Sequence, residues 1–478
     1  MRLSAVRNRN LSLWQSAVGE VTTKFAQSNP KLMSAMELAA SLHAAAADKG
    51  IDIPPPPQDQ PAIAKELAAS NPQTLAYVSK LVFDVARAHQ SGNVDAETAA
   101  MGQLKDFVTR HYASLDILGW MQCVWQYLEY YVAAHRKPPY VDWAEQSPPD
   151  INFGVIDFRL PSSARILLLG DWGTRMSDNV AMLRQGLKML QPDVIIHLGD
   201  VYYSGTKFEC AQNVSQVMEE LFAELHMKPR PFFTIPGNHE YYSGGMGFYD
   251  MIANINSGIL GCLQRASYFC LRTEDNAWQF LGMDTGYNDR DPVNHTAPGL
   301  QTSEIKWHRD KLDQFQGSTV LLSHHQLFSA HDKLDDGAMA YLNENLHLTF
   351  QPYFDRIAVW YWGHEHNFSI FKDDQCGLRK GRLIGCSAYE ETEGEDPYEI
   401  KFTDVSYSAD MKKLGLSPYQ GGPQQYYNHA MALLDVSPEK IDVSYYEYPS
   451  WDRDFTPPQV DEPTLLLKET IMPTRARA

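Results

Sequence analysis

Continuous apolar or β-branched runs recur through the middle of this chain: ILLLG at 166–170, VIIHL at 194–198, PFFTI at 231–235, TVLLS at 319–323 and IAVWYW at 357–362. Runs without polar alternation mark strands covered on both faces, which requires helices over the sheet. One such helix lies between the first two runs. In NVAMLRQGLKML at 179–190, Val180, Leu183, Leu187 and Leu190 repeat at helical spacing, and QPD follows as the loop into the next strand. Strand, helix and strand in that order predict a right-handed crossover between parallel strands. Ligands of such sheets bind beyond the carboxyl ends of the strands. With the last two strands taken as parallel too, the residues after all five runs fall on one rim.

The flanks carry other patterns. Before the first run, 29–47, 61–69, 71–90 and 94–136 are alanine-rich or helically patterned, and IDIPPPPQDQP at 51–61 interrupts them with prolines that cannot continue a helix. Residues 1–136 therefore read as a helical domain or arm. Leu118, Met121, Val124, Trp125 and Leu128 form a stripe that suits either its buried core or the face of a homo-oligomer. KPPYVDWAEQSPPD at 137–150 reads as a linker, and 151–390 as the catalytic module. Beyond the last run, NFSIFK at 367–372 and GRLIGCSA at 381–388 read as returning strands of a second sheet. Residues 391–478 read as a strand- and loop-rich extension, with a hairpin from 429–437 and 440–448 and surface loops at 391–399 and 416–425.

The chemistry sits directly after the five runs. The first is followed by Asp171, the second by Asp200 and Tyr203, the third by Asn238 and His239, the fourth by His324, and the fifth by His364 and His366. Singly, each is an ordinary turn or loop residue. Together they supply oxygen and imidazole donors for two adjacent six-coordinate cations. His325 competes with His324, and the place of His324 directly after the strand, like that of Asp171, favours it. Trp172, Tyr241 and Tyr242 border these positions, either walling a cleft or packing beneath the loops.

GDWG at 170–173, GDVYY at 199–203, GNHE at 237–240, His324 and GHEH at 363–366 resemble, in that order, the motif series of the calcineurin-type metallophosphoesterases, and among them the purple acid phosphatases. The resemblance covers about residues 164 to 390. It implies an α/β fold, a two-sheet sandwich flanked by helices, here with an added N-terminal helical region. It also implies two metal ions: Fe(III) held by Asp171, Asp200, Tyr203 and His366, and Fe(II), Zn(II) or Mn(II) held by Asp200, Asn238, His324 and His364, with Asp200 bridging. The tyrosine is the informative donor, because a phenolate is a hard anion suited to a trivalent ion. The implied activity is hydrolysis of phosphomonoesters, with His239 contacting a phosphate oxygen or protonating the leaving group, and His331 as a second catalytic candidate. Gln326 stands where related motifs carry proline, so the loop to His331 departs from the family pattern. A phosphodiesterase acting on a nucleotide or other small diester is the alternative; a binding protein retaining the fold is disfavoured because all seven proposed ligands are chemically intact.

Composition narrows the partners. A formal charge of −18 disfavours duplex nucleic acid and anionic membrane, whose nonspecific attraction depends on basic residues, and leaves a small phosphate ester to be drawn by the site itself. The start, MRLSAVRNRNLSLW, develops no apolar secretory core, and no stretch is long and apolar enough to span a bilayer. The six cysteines are dispersed without a CxxC pair. Cys262 and Cys270 are the two placed to bridge a loop, while reduced thiols in a cytoplasmic enzyme are the simpler expectation.

Overall fold

The computed structural model describes residues 138–202, 205, 207–242, 244–289, 298–335, 339–389, 391–421, 424–451 and 462–474, with Ala99 alone before them. The helical reading of 1–136 lies outside the described residues, Ala99 excepted, as does Tyr203. In chain order the first elements are β1 (Ala164–Leu169), α1 (Ser177–Leu190), β2 (Val194–His197) and α2. The last of these starts at Lys207–Glu209 and passes through a π-helical turn, Cys210–Ser215, into Gln216–Glu224. Then come β3 (Phe232–Thr234), α3 (Asn238–Tyr242), α4 (Met246–Asn254), β4 (Phe269–Arg272), β5 (Trp278–Gly282), α5 (Thr302–Gln314), β6 (Ser318–Leu322), α6 (Glu344–Phe350) and β7 (Ile357–Trp362). The chain closes with β8 (Phe368–Ile370), β9 (Gly381–Ile384), β10 (Leu416–Gly421), β11 (Gln424–Tyr427), β12 (His429–Val436), β13 (Ile441–Tyr448) and β14 (Thr464–Ile471).

These strands form two six-stranded sheets and a ribbon. The first sheet runs β14-β13-β12-β1-β2-β3 and the second β4-β5-β6-β7-β9-β8, while β10 and β11 pair with each other. In the first sheet β1, β2 and β3 are parallel; in the second β5, β6, β7 and β9 are. The parallel direction assumed for β6 and β7 is therefore the observed one, but the five motif strands do not share a sheet. Three lie in one and two in the other, and the single rim is shared between two sheets that face each other. Both sheets have the same parallel, apolar run, so strand pattern alone did not separate them.

Alternation within each run explains why the strands are apolar throughout. On β1, Ile166 and Leu168 point between the sheets, where they join Ile196, Phe233, Val320, Val359, Ile384 and Leu434. Leu167 and Leu169 point outward beneath α1, α2 and α4, against Leu183, Leu187, Leu221 and Phe248. The second sheet repeats the pattern: Leu321, Trp360 and Trp362 face outward toward Trp307 and Leu312 of α5 and Leu346 and Phe350 of α6. The result is a four-layer helix–sheet–sheet–helix sandwich, in which each fully buried aliphatic side chain contributes roughly 1.5–3 kcal/mol. Helix α1 ends at Gln191, whose left-handed backbone (φ 44°) lets its N–H donate to Leu187 O.

Two further segments differ from expectation. Residues 416–425, read as a loop, form most of the β10–β11 ribbon, and Thr392 bridges to Tyr426 of β11. The segment from 138 to 150 packs onto the sandwich: Tyr140 Oη donates to Glu304 Oε2 at 2.7 Å, and the buried Trp143 donates through Nε1 to Ser303 O at 2.8 Å. Cys262 and Cys270 are free thiols. No helix among the described residues is long and apolar enough to cross a membrane.

Candidate metal centre

The carboxyl ends of β1, β2 and β3 meet those of β6 and β7, and the chain turns sharply just beyond them. Asp171 (φ 56°), Asp200 (φ 69°) and His364 (φ 71°) all hold left-handed backbone, a conformation that non-glycine residues adopt at a cost. The turns aim their side chains inward and are locked by contacts between the sheets. His364 N donates to Asp171 Oδ2 at 2.8 Å, and Gly170 N donates to Ser387 Oγ at 3.0 Å. Glycine is required at the closest approaches. A Cβ on Gly363 would stand 2.3 Å from Asp171 Oδ2, and one on Gly237 would stand 2.1 Å from Asp200 Oδ1 and 2.7 Å from His324 Nε2. The Asp171 carboxylate is buried and tethered to His364, so it has little room to yield. Gly363→Ala is therefore expected to cost about 1–3 kcal/mol of stability and to lower the metal content of the purified chain. Elemental analysis beside a thermal melt checks this, and wild-type values in both would refute it.

On one side of the cluster, donor atoms of Asp171, Asp200 and His366 lie within 4.8 Å of one another. Between them stands the hydroxyl of Tyr202, 3.1 Å from Asp171 Oδ1, 3.3 Å from Asp200 Oδ2 and 3.0 Å from His366 Nε2. One phenolic proton faces three acceptors. Burial, and then the charges of Asp171 and Asp200, raise the Tyr202 hydroxyl well above its ordinary range, so it keeps its proton unless a cation is present. Asp171 is likewise raised by burial first and by Asp200 next. Two buried carboxylates at this separation call for a positive charge between them.

On the other side, donor nitrogens of His324, His325 and His364 lie within 4.8 Å of one another. His324 Nδ1 is 2.9 Å from Leu198 O, a carbonyl that only accepts, so the ring proton is on Nδ1. Burial foremost, then His325 and His364, hold His324 neutral. Its Nε2 lone pair thus faces Asn238 Oδ1 at 3.1 Å and Asp200 Oδ1 at 3.3 Å, with His364 Nδ1 at 3.2 Å. Lone pairs that converge without enough protons fit a cation of mixed nitrogen and oxygen preference. His325 is committed elsewhere, with Nδ1 2.8 Å from Thr285 Oγ1 and Nε2 3.0 Å from Asp289 Oδ2. It braces the His364 ring, whose centroid is 4.3 Å away.

Asp200 is common to both halves, with Oδ2 toward Tyr202 and Oδ1 toward His324. His239 donates its backbone N–H to Asp200 Oδ1 at 3.2 Å, sets its ring edge-on to Tyr202 and has Nε2 3.7 Å from Asp200 Oδ2. His331 is not brought to the cluster. Its Nδ1 donates to Glu399 O at 2.9 Å, its Nε2 meets the Tyr407 hydroxyl, and its ring stacks on that tyrosine. Trp172 does not wall a cleft: it is fully buried, and its Nε1 is 3.4 Å from Asn179 O. Tyr241 is also buried, its hydroxyl donating to Asp284 Oδ2 at 2.6 Å.

Three participants escaped the sequence reading. Tyr202 was hidden by the adjacent Tyr203, the residue at the family's motif position. Glu240 accepts from Asp200 N, Val201 N and Gly237 N at 3.1, 2.8 and 2.7 Å, tying the loop after β2 to the loop after β3. Its place in GNHE was visible, its role was not. Glu391 accepts from His366 Nδ1 at 3.1 Å, and no local pattern joins it to the motifs.

The family model described as calcineurin-like phosphoesterase matches residues 164–368. No curated protein sequence matches the chain significantly. Among solved structures, a dimetal phosphatase from Danio rerio is 12% identical, with 65% of this chain and 98% of that one covered at a TM-score of 0.40. The purple acid phosphatase PPD1 from yellow lupin (Lupinus luteus) seeds is 16% identical, with 64% and 57% covered at 0.37. GAP50, the anchor in the inner membrane complex of Plasmodium, is 12% identical, with 65% and 89% covered at 0.40. At these scores the likenesses say nothing about activity. The matched stretch holds Asp171, Asp200, Asn238, His324, His364 and His366, and through it the chain carries a calcineurin-like phosphoesterase domain, that of a metal-dependent phosphoric ester hydrolase.

Proposed function

We propose that the protein is a dinuclear phosphomonoesterase of the purple-acid-phosphatase kind. One position is formed by Asp171, Asp200, Tyr202 and His366 and suits Fe(III); the other, formed by Asp200, Asn238, His324 and His364, suits Fe(II), Zn(II) or Mn(II). The observation that carries this reading is the phenol oxygen of Tyr202 among two carboxylates and an imidazole. It moves the proposed phenolate from Tyr203 to Tyr202, because a hard anionic donor set is what distinguishes a trivalent site from a pair of divalent ones.

When bound, the two cations supply Lewis-acid polarisation of the phosphoryl group and lower the pKa of the attacking water. Asp200 would contribute to both positions, its Oδ2 facing Tyr202 and its Oδ1 facing His324. Asp171, clamped by His364 N, keeps the first position aligned with the second across the two sheets. His239, with Nε2 3.7 Å from Asp200 Oδ2, supplies an imidazole that can donate to a phosphoryl oxygen or give the leaving group its proton near neutral pH. The substrate in this proposal is a small monoester.

Metal analysis and a visible spectrum of the chain purified without added metal test the reading, together with rates on p-nitrophenyl phosphate and bis(p-nitrophenyl) phosphate. Two ions including iron, a broad visible band and preference for the monoester support it; a diester preference overturns the monoester assignment. Tyr202→Phe is expected to abolish the band while Tyr203→Phe keeps it. The reverse result returns the phenolate to Tyr203.

A further inference from the structure

The segment after β9 turns back over His366. Tyr389 lies against that ring with centroids 3.9 Å apart and planes 29° from parallel, and Glu391 Oε1 accepts from His366 Nδ1 at 3.1 Å. Both partners of that hydrogen bond are about one-fifth exposed, so water competes only partly for it. Glu391 is itself fixed from the C-terminal side: Tyr427 N donates to Glu391 O at 3.0 Å, and Thr392 bridges to Tyr426. These residues lie beyond the stretch matched by the family model.

We propose that Glu391 is a positioning residue for the first metal position, acting through His366. A carboxylate only accepts, so the contact keeps the imidazole proton on Nδ1 and leaves the Nε2 lone pair aimed into the cluster, 3.0 Å from Tyr202 Oη and 3.7 Å from Asp171 Oδ1. A carboxylate behind a ligating histidine also raises the basicity of the donor nitrogen. The stacked Tyr389 ring fixes the imidazole plane that the carboxylate alone leaves free to rotate. His324 reaches the same state through a backbone carbonyl, Leu198 O, which belongs to the core of the domain. His366 depends instead on a side chain from the segment after β9, whose backbone the β10–β11 ribbon holds, so the C-terminal extension completes a site whose ligands all precede it.

This inference rests on the dinuclear reading, and the test separates the two. Zinc is titrated into the metal-free full-length chain against a competing chelator, for wild type, Glu391→Ala and Glu391→Gln, with circular dichroism as the control for folding. Wild type is expected to bind two ions. Glu391→Ala should weaken one of them by about 10–100-fold and leave the other unchanged. Glu391→Gln, which still accepts through Oε1, should recover most of the loss. Two ions bound by Glu391→Ala with wild-type affinities would overturn the positioning role, as would an equal loss of both ions from a folded variant. Fewer than two ions on wild type would overturn the dinuclear reading itself.

Discussion

Asp200→Asn is expected to lower kcat on a phosphomonoester by at least about 10²–10³-fold, the loss that follows removal of a single preorganised electrostatic contact to the reacting group. Asp200 faces both halves of the cluster, through Oδ2 toward Tyr202 and Oδ1 toward His324. In the proposed dinuclear site, its replacement would take away a charge shared by both cations. The substitution is a clean one because asparagine tolerates the left-handed backbone that Asp200 holds at φ 69°. Asparagine Oδ1 also still accepts from His239 N, so the turn and the fold survive while the charge does not. Rates measured beside elemental analysis check the expectation, and near-full turnover with both ions retained would refute the bridging role.

The candidate residues nearest their own strands are the ones whose grouping was legible in the sequence. Asp171, Asp200, Asn238, His324 and His364 each follow an apolar run within three residues, and the structure brings them together because the run fixes where the chain leaves the sheet. What the run does not fix is the dihedral of the next turn. That is why nothing in the sequence pointed to Tyr202, since side-chain direction in an irregular loop follows from φ and ψ rather than from spacing. Strands without a distinctive run were missed for a related reason. FCLR and WQFLG, which form β4 and β5, are four and five residues long and lie among polar neighbours. The β10–β11 ribbon is masked by the two glycines and two prolines of LSPYQGGPQQYY. Glu391 had no signal at all: its partner is 25 residues away along the chain and is met where the segment after β9 turns back over it.

The ion pair that ties the C-terminal strand to the second sheet carries the other large effect. Glu469 of β14 accepts from Arg382 Nε and Nη2 of β9, both at 2.7 Å, and also from Tyr445 Oη at 2.7 Å and Lys380 Nζ at 3.3 Å. The guanidinium is buried and continues to Phe371 O, Gly381 O and Asp373 Oδ1. Glu469→Ala strands that charge away from water and is expected to cost about 3–5 kcal/mol, read from urea unfolding at neutral pH. Pairing Arg382→Met with Glu469→Leu should recover most of the loss, because apolar groups of similar volume leave no charge uncompensated. Burial by itself would raise the Glu469 carboxyl, but the Arg382 bonds and charge, with Tyr445 and Lys380, hold it below its ordinary value. A carboxyl lower in the folded than in the unfolded chain stabilises above the unfolded value of about 4.3. That stability is lost as pH falls through the lower, folded value. The gap between wild type and Glu469→Gln should therefore be widest near neutrality and narrow in acid. A gap that is constant with pH would assign the effect of Glu469 to packing instead of charge.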